Sequence, residues 1–385
     1  MASYTSNEVY LKEESIVIAI DIGTTMTGVS FSHMYPGEKP SVRLVNQWPG
    51  QPVAGGDSKV PTLVAYQNGV ACAHGATALD MVRDDDYQVA RWFKLHLHPS
   101  SLKNQIHLNT DQGSSSDTSF SDEEIPPLPE GVSLKDIYTS FMAYVYKTTE
   151  DFFTNRTPNG RRIWDRLKDR NIIILCTPNG WGTNEQDFMR DAAIAAGILS
   201  AHEVDDRLEF VTEGEASVHY ALAYTKSDTW VKKDVMFAVV DAGGSTVDST
   251  LYICKSNLPR ITLKRVCDSE CVQAGGIFVN RAFRQNLCKR LTGSKFNEDE
   301  LIDVMVDEFE AKTKRLFDGT QESSIIQFGR NKDNDPDFGI TKGRITVDRE
   351  TIRKSFDVTI ERMISSVKRL IGNRDVHVSG IPSRI

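Results

Sequence analysis

Several familiar signatures are missing from this chain, and each absence closes a class. There is no G-x-x-x-x-G-K-[ST] segment, so the chain is not a P-loop NTPase, and no G-x-G-x-x-G follows an apolar run, so a dinucleotide fold is unsupported. No apolar run approaches the roughly 20 residues that a membrane-crossing helix needs, and no membrane partner is expected. The opening residues, MASYTSNEVYLKEES, are polar and acidic, unlike a secretory signal or an Arg-rich transit peptide. Basic charge is in deficit: 45 Lys and Arg stand against 53 Asp and Glu, a net charge of −8, which argues against a nucleic-acid partner. The six cysteines (Cys72, Cys176, Cys254, Cys267, Cys271 and Cys288) lack paired metal spacing, and several lie in apolar runs where Cys behaves as a small buried hydrophobe. Reduced thiols are expected, and with them a cytoplasmic location, the nucleus being the alternative.

What the chain does contain is a repeat. Residues 16–32 read IVIAIDIGTTMTGVSFS and residues 236–254 read MFAVVDAGGSTVDSTLYIC. Each is an apolar run ending in Asp, a turn of Gly and hydroxyl residues, then a second alternating run, which is the pattern of a β-hairpin with a slender tip. Between and beyond the copies the chain is too long for one compact core. Strands are expected at 42–46, 62–67, 171–176 (NIIILC, wholly apolar), 208–212 and 261–266, and helices at 76–93, from 133 onward, at 184–197, to about 224, and at 276–291, 297–317 and 348–371. In the helix after 133, Leu134, Ile137, Phe141, Tyr144, Val145 and Phe152 share a face. Residues 99–131 are rich in Ser, Asp and Pro and read as a surface insertion, and 225–234 as a joint. The expected division is a first lobe over 16–229 and a second over 234–385, each a βββαβα-like half.

Small tips suit a polyphosphate. Gly23, Gly243 and Gly244 let backbone N–H groups approach closely, and Thr24, Thr25, Ser245 and Thr246 add hydroxyls. Asp21 and Asp241 end the two strands, with Asp248 just past the second tip. Carboxylates repel phosphate oxygens, so this arrangement makes sense with Mg²⁺ between them, held by Asp21 and Asp241 through its waters. One such turn is often just a tight hairpin; two matched copies argue for a phosphate site.

With these hairpins, NIIILCTPNGWGTNEQDFMRDAAIAAG, FVTEGEASVHYALA and QAGGIFVNRAF, the chain resembles the nucleotide-binding domain of DnaK-type heat-shock chaperones. TEGEAS and RWFKLHLHP are closer to a divergent branch of that family than to its stress-induced members. The resemblance implies the two-lobed actin-like ATPase (ribonuclease H-like) α/β fold with duplicated halves, a central nucleotide cleft, ATP or ADP with Mg²⁺, and co-chaperone or client-protein partners. It also implies roles: Asp21, Asp241 and Asp248 as Mg-water and catalytic aspartates, Glu213 as a shaper of the metal shell, and Pro178 as an interdomain switch. Lys94 matches the lysine near the γ-phosphate, and Lys314 and Arg315 lie where the family stacks adenine. Without the resemblance, Lys94 reads as a solvated surface lysine, and Lys314 and Arg315 as exposed positions on an amphipathic helix. Gly380, Ser383 and Arg384, in VSGIPSRI, match the adenosine motif, although Ser379 replaces its first glycine.

Other departures bear on function. A Gly-Gly-Ser run stands where the family has three glycines, EGEAS lacks the proline of the family's EPTAA segment, and the chaperone's linker and peptide-binding domain do not follow. The expected activity is Mg-dependent ATP binding with slow hydrolysis as a conformational switch. The alternatives are a nucleotide-sensing scaffold without turnover, a small-molecule kinase of the same superfamily, and an incomplete product. His96, His98 and His107 read as scattered surface histidines, and the Arg161–Arg170 patch as a solvated helix face.

Overall fold

Along Ser15–Ile22 the residues alternate, so Ile16, Ile18, Ile20 and Ile22 enter the core while Asp21 lies on the opposite face. This strand pairs antiparallel with Met26–Met34, which sets Asp21 opposite Gly28. Ile172–Thr177 lies parallel beside it and Leu208–Thr212 parallel beside that. Parallel neighbours need long crossovers, here carried by the helices Leu134–Arg156 and Thr183–Ala195. The first of these starts at a capping box: the Ser133 hydroxyl accepts from Asp136 N while the Asp136 carboxylate accepts from Ser133 N. Its Ile137, Tyr138, Phe141, Met142, Val145 and Phe153 are fully buried against the sheet. The other edge of the sheet takes Arg43–Leu44 and Lys59–Pro61.

The computed structural model describes residues 3–4, 9–52, 58–100, 102, 125–224, 230–257 and 261–372. Within them the second repeat is also a hairpin, Met236–Ala242 with Val247–Ser256, placing Asp241 opposite Asp248. Ile261–Arg265 and Glu270–Val272 extend this second sheet antiparallel, and Ser3–Tyr4 joins its edge. Two small antiparallel sheets flank the large ones: Leu63–Gln67 with Val70–His74 and Gln88–Arg91, and Ser323–Gln327 with Arg344–Asp348 and Ile340–Thr341. The protein is thus a mixed α/β fold with several sheets. Its apolar cores are separate: one is built almost wholly from residues before Glu213, another from Val279 to Ile352, and a smaller one around Val218, Cys254 and Leu263.

Two expected helices come out differently. Residues 76–93 are not one helix: a 3-10 stretch Gly75–Arg83 is followed by the strand Gln88–Arg91 and the short helix Lys94–Leu97. Three successive aspartates, Asp84–Asp86, make the turn between them, and the strand gains a partner in Leu63–Gln67. Residues 297–317 form a helix Asp299–Glu308, a π turn Phe309–Thr313 and a final turn Lys314–Leu316. The π turn lets Phe309 stack on Phe283 at 3.9 Å while Lys314 still reaches the start of the Gly276–Arg290 helix. Residues 373–385, which include the VSGIPSRI segment, lie outside the described residues. Among the described residues, no helix is long and apolar enough to cross a membrane.

Candidate functional site

Both tips close with the same bond. Gly23 N donates to Met26 O at 3.1 Å, and Gly243 N donates to Thr246 O at 2.9 Å. Glycine is required at the first: a Cβ on Gly23 would sit 2.3 Å from Met26 O. The tips, 221 residues apart in sequence, touch: the Thr24 and Ser245 hydroxyls share a buried hydrogen bond of 2.6 Å. Gly244 permits the approach, since a Cβ there would lie 2.7 Å from the Thr25 hydroxyl. The second tip is also held from behind. Gly276 N and Ile277 N, orphan donors at the start of the Gly276–Arg290 helix, donate to Gly243 O and Gly244 O, and Gly275 N donates to Ser245 O.

Around the tips stands a charged cluster. Lys94 is 4% exposed, far from the surface position its surroundings in sequence suggest, and its Nζ lies 2.8 Å from Glu213 Oε1. The Trp181 ring covers the ammonium at 5.4 Å, and Trp181 Nε1 donates to His98 Nδ1, so His98 is a buried residue and not a surface histidine. Burial works against a charged Lys94, yet Glu213, Asp21 and Asp248 together hold its pKa above the ordinary value. Burial also pushes the Glu213 carboxyl up to about 7, opposed by Lys94 and reinforced by Asp21 and Asp248. Asp248 is nearly inaccessible: Oδ1 accepts from Asn179 N at 2.7 Å, and the Cys271 thiol and Thr246 hydroxyl beside the carboxylate are the weaker donors left for the buried Oδ2 among the described residues. Burial raises its pKa as well. Asp241, directly across the strand pair from Asp248, accepts from the Ser217 hydroxyl at 2.6 Å. Asp21 meets Lys59 Nζ at 3.3 Å.

Asp21, Glu213 and Asp248 therefore bear on the Lys94 ammonium, Asp21 also meets Lys59, and Asp241 stands beside the buried Asp248 on the neighbouring strand. Such a set favours an added cation. No three His, Cys, Asp or Glu side chains among the described residues form a direct metal-ligand group, so a divalent ion would fit through water rather than by direct ligation. Lys314 Nζ donates to Gly276 O and Asn280 Oδ1, each at 2.9 Å, and burial lowers its pKa; Arg315 is exposed. The structure thus gathers Gly23, Thr24, Thr25, Gly243, Gly244, Ser245 and Thr246 at one place, beside Asp21, Lys94, Glu213, Asp241 and Asp248. Gly380, Ser383 and Arg384 lie outside the described residues.

No protein-family model matches the chain. It is similar to heat shock 70 kDa protein 12B of Homo sapiens, 22% identical over 335 residues, which are 73% of this chain and 46% of that protein. It is also similar to heat shock 70 kDa protein 12A of Mus musculus, 23% identical over 339 residues, 74% of this chain and 46% of that protein. The chain is a divergent relative of the heat-shock 70 proteins. The match spans less than half the length of these relatives, and the mixed α/β architecture agrees with an actin-like ATPase fold in this heat-shock 70 relative.

Sequence reasoning passed over several residues that build the site. Ser217 stands one helical turn after Glu213 in Glu213–Tyr224, a spacing that puts both on one face and was readable. Gly275 carried a signal as part of a glycine pair before a helix. Asn179 and Lys59 carried none, because each reaches its aspartate by a pairing that only the folded sheets create.

Proposed function

We propose that this heat-shock 70 relative binds ATP between the two hairpin tips and hydrolyses it slowly, the change of nucleotide acting as a conformational switch. The observation that supports this most is the buried Thr24–Ser245 contact, which joins two glycine-bearing turns from separate sheets beside a buried Lys94 and four carboxylates. Tip hydroxyls from Thr24, Thr25, Ser245 and Thr246, with backbone N–H groups of the tips, would bind phosphate oxygens. Asp21 and Asp241 would hold Mg²⁺ through water, which supplies charge neutralisation on the phosphates. Lys94, fixed by Glu213, would stand near the terminal phosphate, stabilise charge that develops there and orient water, with Asp248 as a nearby proton acceptor. Lys314 and Arg315 would border the base. In this reading residues 16–229 and 234–385 are the two lobes of a duplicated fold, with the nucleotide in the cleft between them.

A second reading, nucleotide sensing without turnover, is favoured by one feature: the Thr24 and Ser245 hydroxyls already satisfy each other. The test separates the two. The melting temperature of the purified chain is measured with MgATP, MgADP and MgAMP, alongside single-turnover phosphate release. A ligand at a thousand times its Kd adds about 4 kcal/mol of stability, several degrees of melting temperature. A shift with ATP and ADP plus phosphate release supports the switch, a shift without release supports the sensor, and no shift with any nucleotide sinks both.

A further inference from the structure

We propose that Lys59 is a built-in cation of the phosphate site, able to serve a nucleoside polyphosphate at Asp21 when no divalent metal is present. The proposal rests on the nucleotide reading above and adds a ligand-contacting residue to it.

Asp21 lies opposite Gly28 in one strand pair, and Gly28 lies opposite Lys59 in the next, so the three form a row across the sheet. Side chains on such a row stand on one face, and a residue with bulk in the middle would separate the outer two. Glycine leaves the middle bare. The Lys59 stem lies over it, with Cε, Cγ and Cδ 3.4, 3.5 and 3.9 Å from where a Gly28 Cβ would be, and the ammonium reaches Asp21 Oδ2 at 3.3 Å.

The strand carrying Lys59 is tied down on both sides. Gln51 Nε2 donates to Lys59 O at 2.9 Å, and Val60 next to it is fully buried. Thr62 N donates to Thr25 O at 2.9 Å, joining this strand to the first phosphate tip itself. Lys59 belongs electrostatically to the same cluster as Lys94: both, with Asp21 and Glu213, bear on the Cys176 thiol. Its own ammonium is half-exposed, unlike that of Lys94, so it can leave Asp21 for an incoming anion. An exposed Lys–Asp pair contributes little to folding. A lysine ammonium on a flexible stem is a mobile point charge suited to phosphate oxygens. Among the described residues, Asp241 on the second hairpin is met instead by the neutral Ser217 hydroxyl.

The test is calorimetric titration of ADP and ATP into the full chain, in EDTA and at saturating Mg²⁺. The wild type is compared with Lys59→Met, which keeps the stem, and Lys59→Arg, which keeps the charge. Removing metal should weaken wild-type and Lys59→Arg binding less than about tenfold and Lys59→Met binding about a hundredfold. Equal metal dependence in wild type and Lys59→Met overturns the Lys59 role while leaving the nucleotide reading standing. No binding by any of the three under either condition overturns both. Melting curves without nucleotide, expected to coincide for all three because Lys59 is half-exposed, exclude misfolding as the cause.

Discussion

The two hairpins close with the same Gly N–H bond three residues along and end their first strands in the same aspartate, yet they treat that aspartate differently. On the first, Asp21 faces a glycine, is partly exposed and meets a lysine ammonium across the bare row. On the second, Asp241 faces another carboxylate, the buried Asp248. The first tip is held by its own sheet and by the Thr24–Ser245 bond to the second tip, whereas the second is in addition clamped from behind by the start of a helix. One scaffold has thus been given two electrostatic characters: an adjustable side where a lysine meets the aspartate, and a rigid side where two carboxylates stand together. A polyphosphate with its cation would satisfy the second while displacing the balance of the first.

The sharpest way to break this comparison is to remove the clamp. A Cβ on Gly275 would lie 2.5 Å from both Gly244 C and Ser245 N, contacts with backbone that no side-chain rotation relieves. Gly275→Ala should therefore cost about 3 kcal/mol or more in urea unfolding and abolish nucleotide-induced stabilisation, with the first hairpin unaffected. Gly182→Ala is the control, since its nearest neighbour would be the flexible end of Glu185 at 3.6 Å, and it should stay within about 1 kcal/mol of wild type.

Next in size is the buried pair that spans the cluster. Lys94→Met leaves Glu213 buried without its cation and should destabilise by about 3 kcal/mol at neutral pH. The pH dependence carries the sign. The Glu213 carboxyl is raised from 4.5 to about 7 in the folded state, so between those values the folded chain holds a proton that the unfolded chain has lost. Its contribution to stability is therefore greatest below pH 4.5 and declines as pH rises to 7. Glu14 is the opposite case: Arg166 and His33 hold it down to about 2, so its contribution is full above 4.5 and is lost as pH falls toward 2. Denaturation from pH 4.5 to 8 should fall with rising pH for wild type, fall over a window extended upward for Lys94→Met, and flatten for Glu213→Gln. A flat wild-type profile would mean that Glu213 ionises normally.

Much of this was readable in the sequence because the repeat wrote it twice. Alternation fixed the strands around Asp21 and Asp241, and glycine with hydroxyls fixed the tips. The apolar 172–175 stretch indicated a strand covered on both faces; the strand lies between two parallel neighbours, but its burial alternates, with Ile173 and Leu175 buried and Ile172 and Ile174 only half-buried. What stayed hidden depends on pairing over distance. Lys59 finds Asp21 only through the register of three strands, and Asn179 finds Asp248 only once two sheets meet. The region 76–93 looked helical because its apolar spacing fits both readings, and the decision lay with a partner strand at Leu63–Gln67. Lys94 could be placed at the site only through the resemblance, because the tryptophan and glutamate that enclose it come from elsewhere in the chain.

The smallest expected effect tests the least obvious part of the comparison, the hydroxyl that replaces a lysine beside Asp241. Ser217→Ala removes one hydrogen bond at a partly buried site and should cost about 1 kcal/mol. A merely structural serine would stop there. If the bond instead sets the carboxylate where it can hold hydrated Mg²⁺, Ser217→Ala should also raise the Mg²⁺ concentration needed for half-maximal ATP binding by several-fold, and Ser217→Thr should restore it. The same change should leave binding in EDTA untouched, because in the absence of metal the cation work falls to Lys59 on the other hairpin. Loss of binding in EDTA together with an unchanged Mg²⁺ requirement would mean that the two aspartates are not divided between a lysine side and a metal side, and the asymmetry of the hairpins would have no functional meaning.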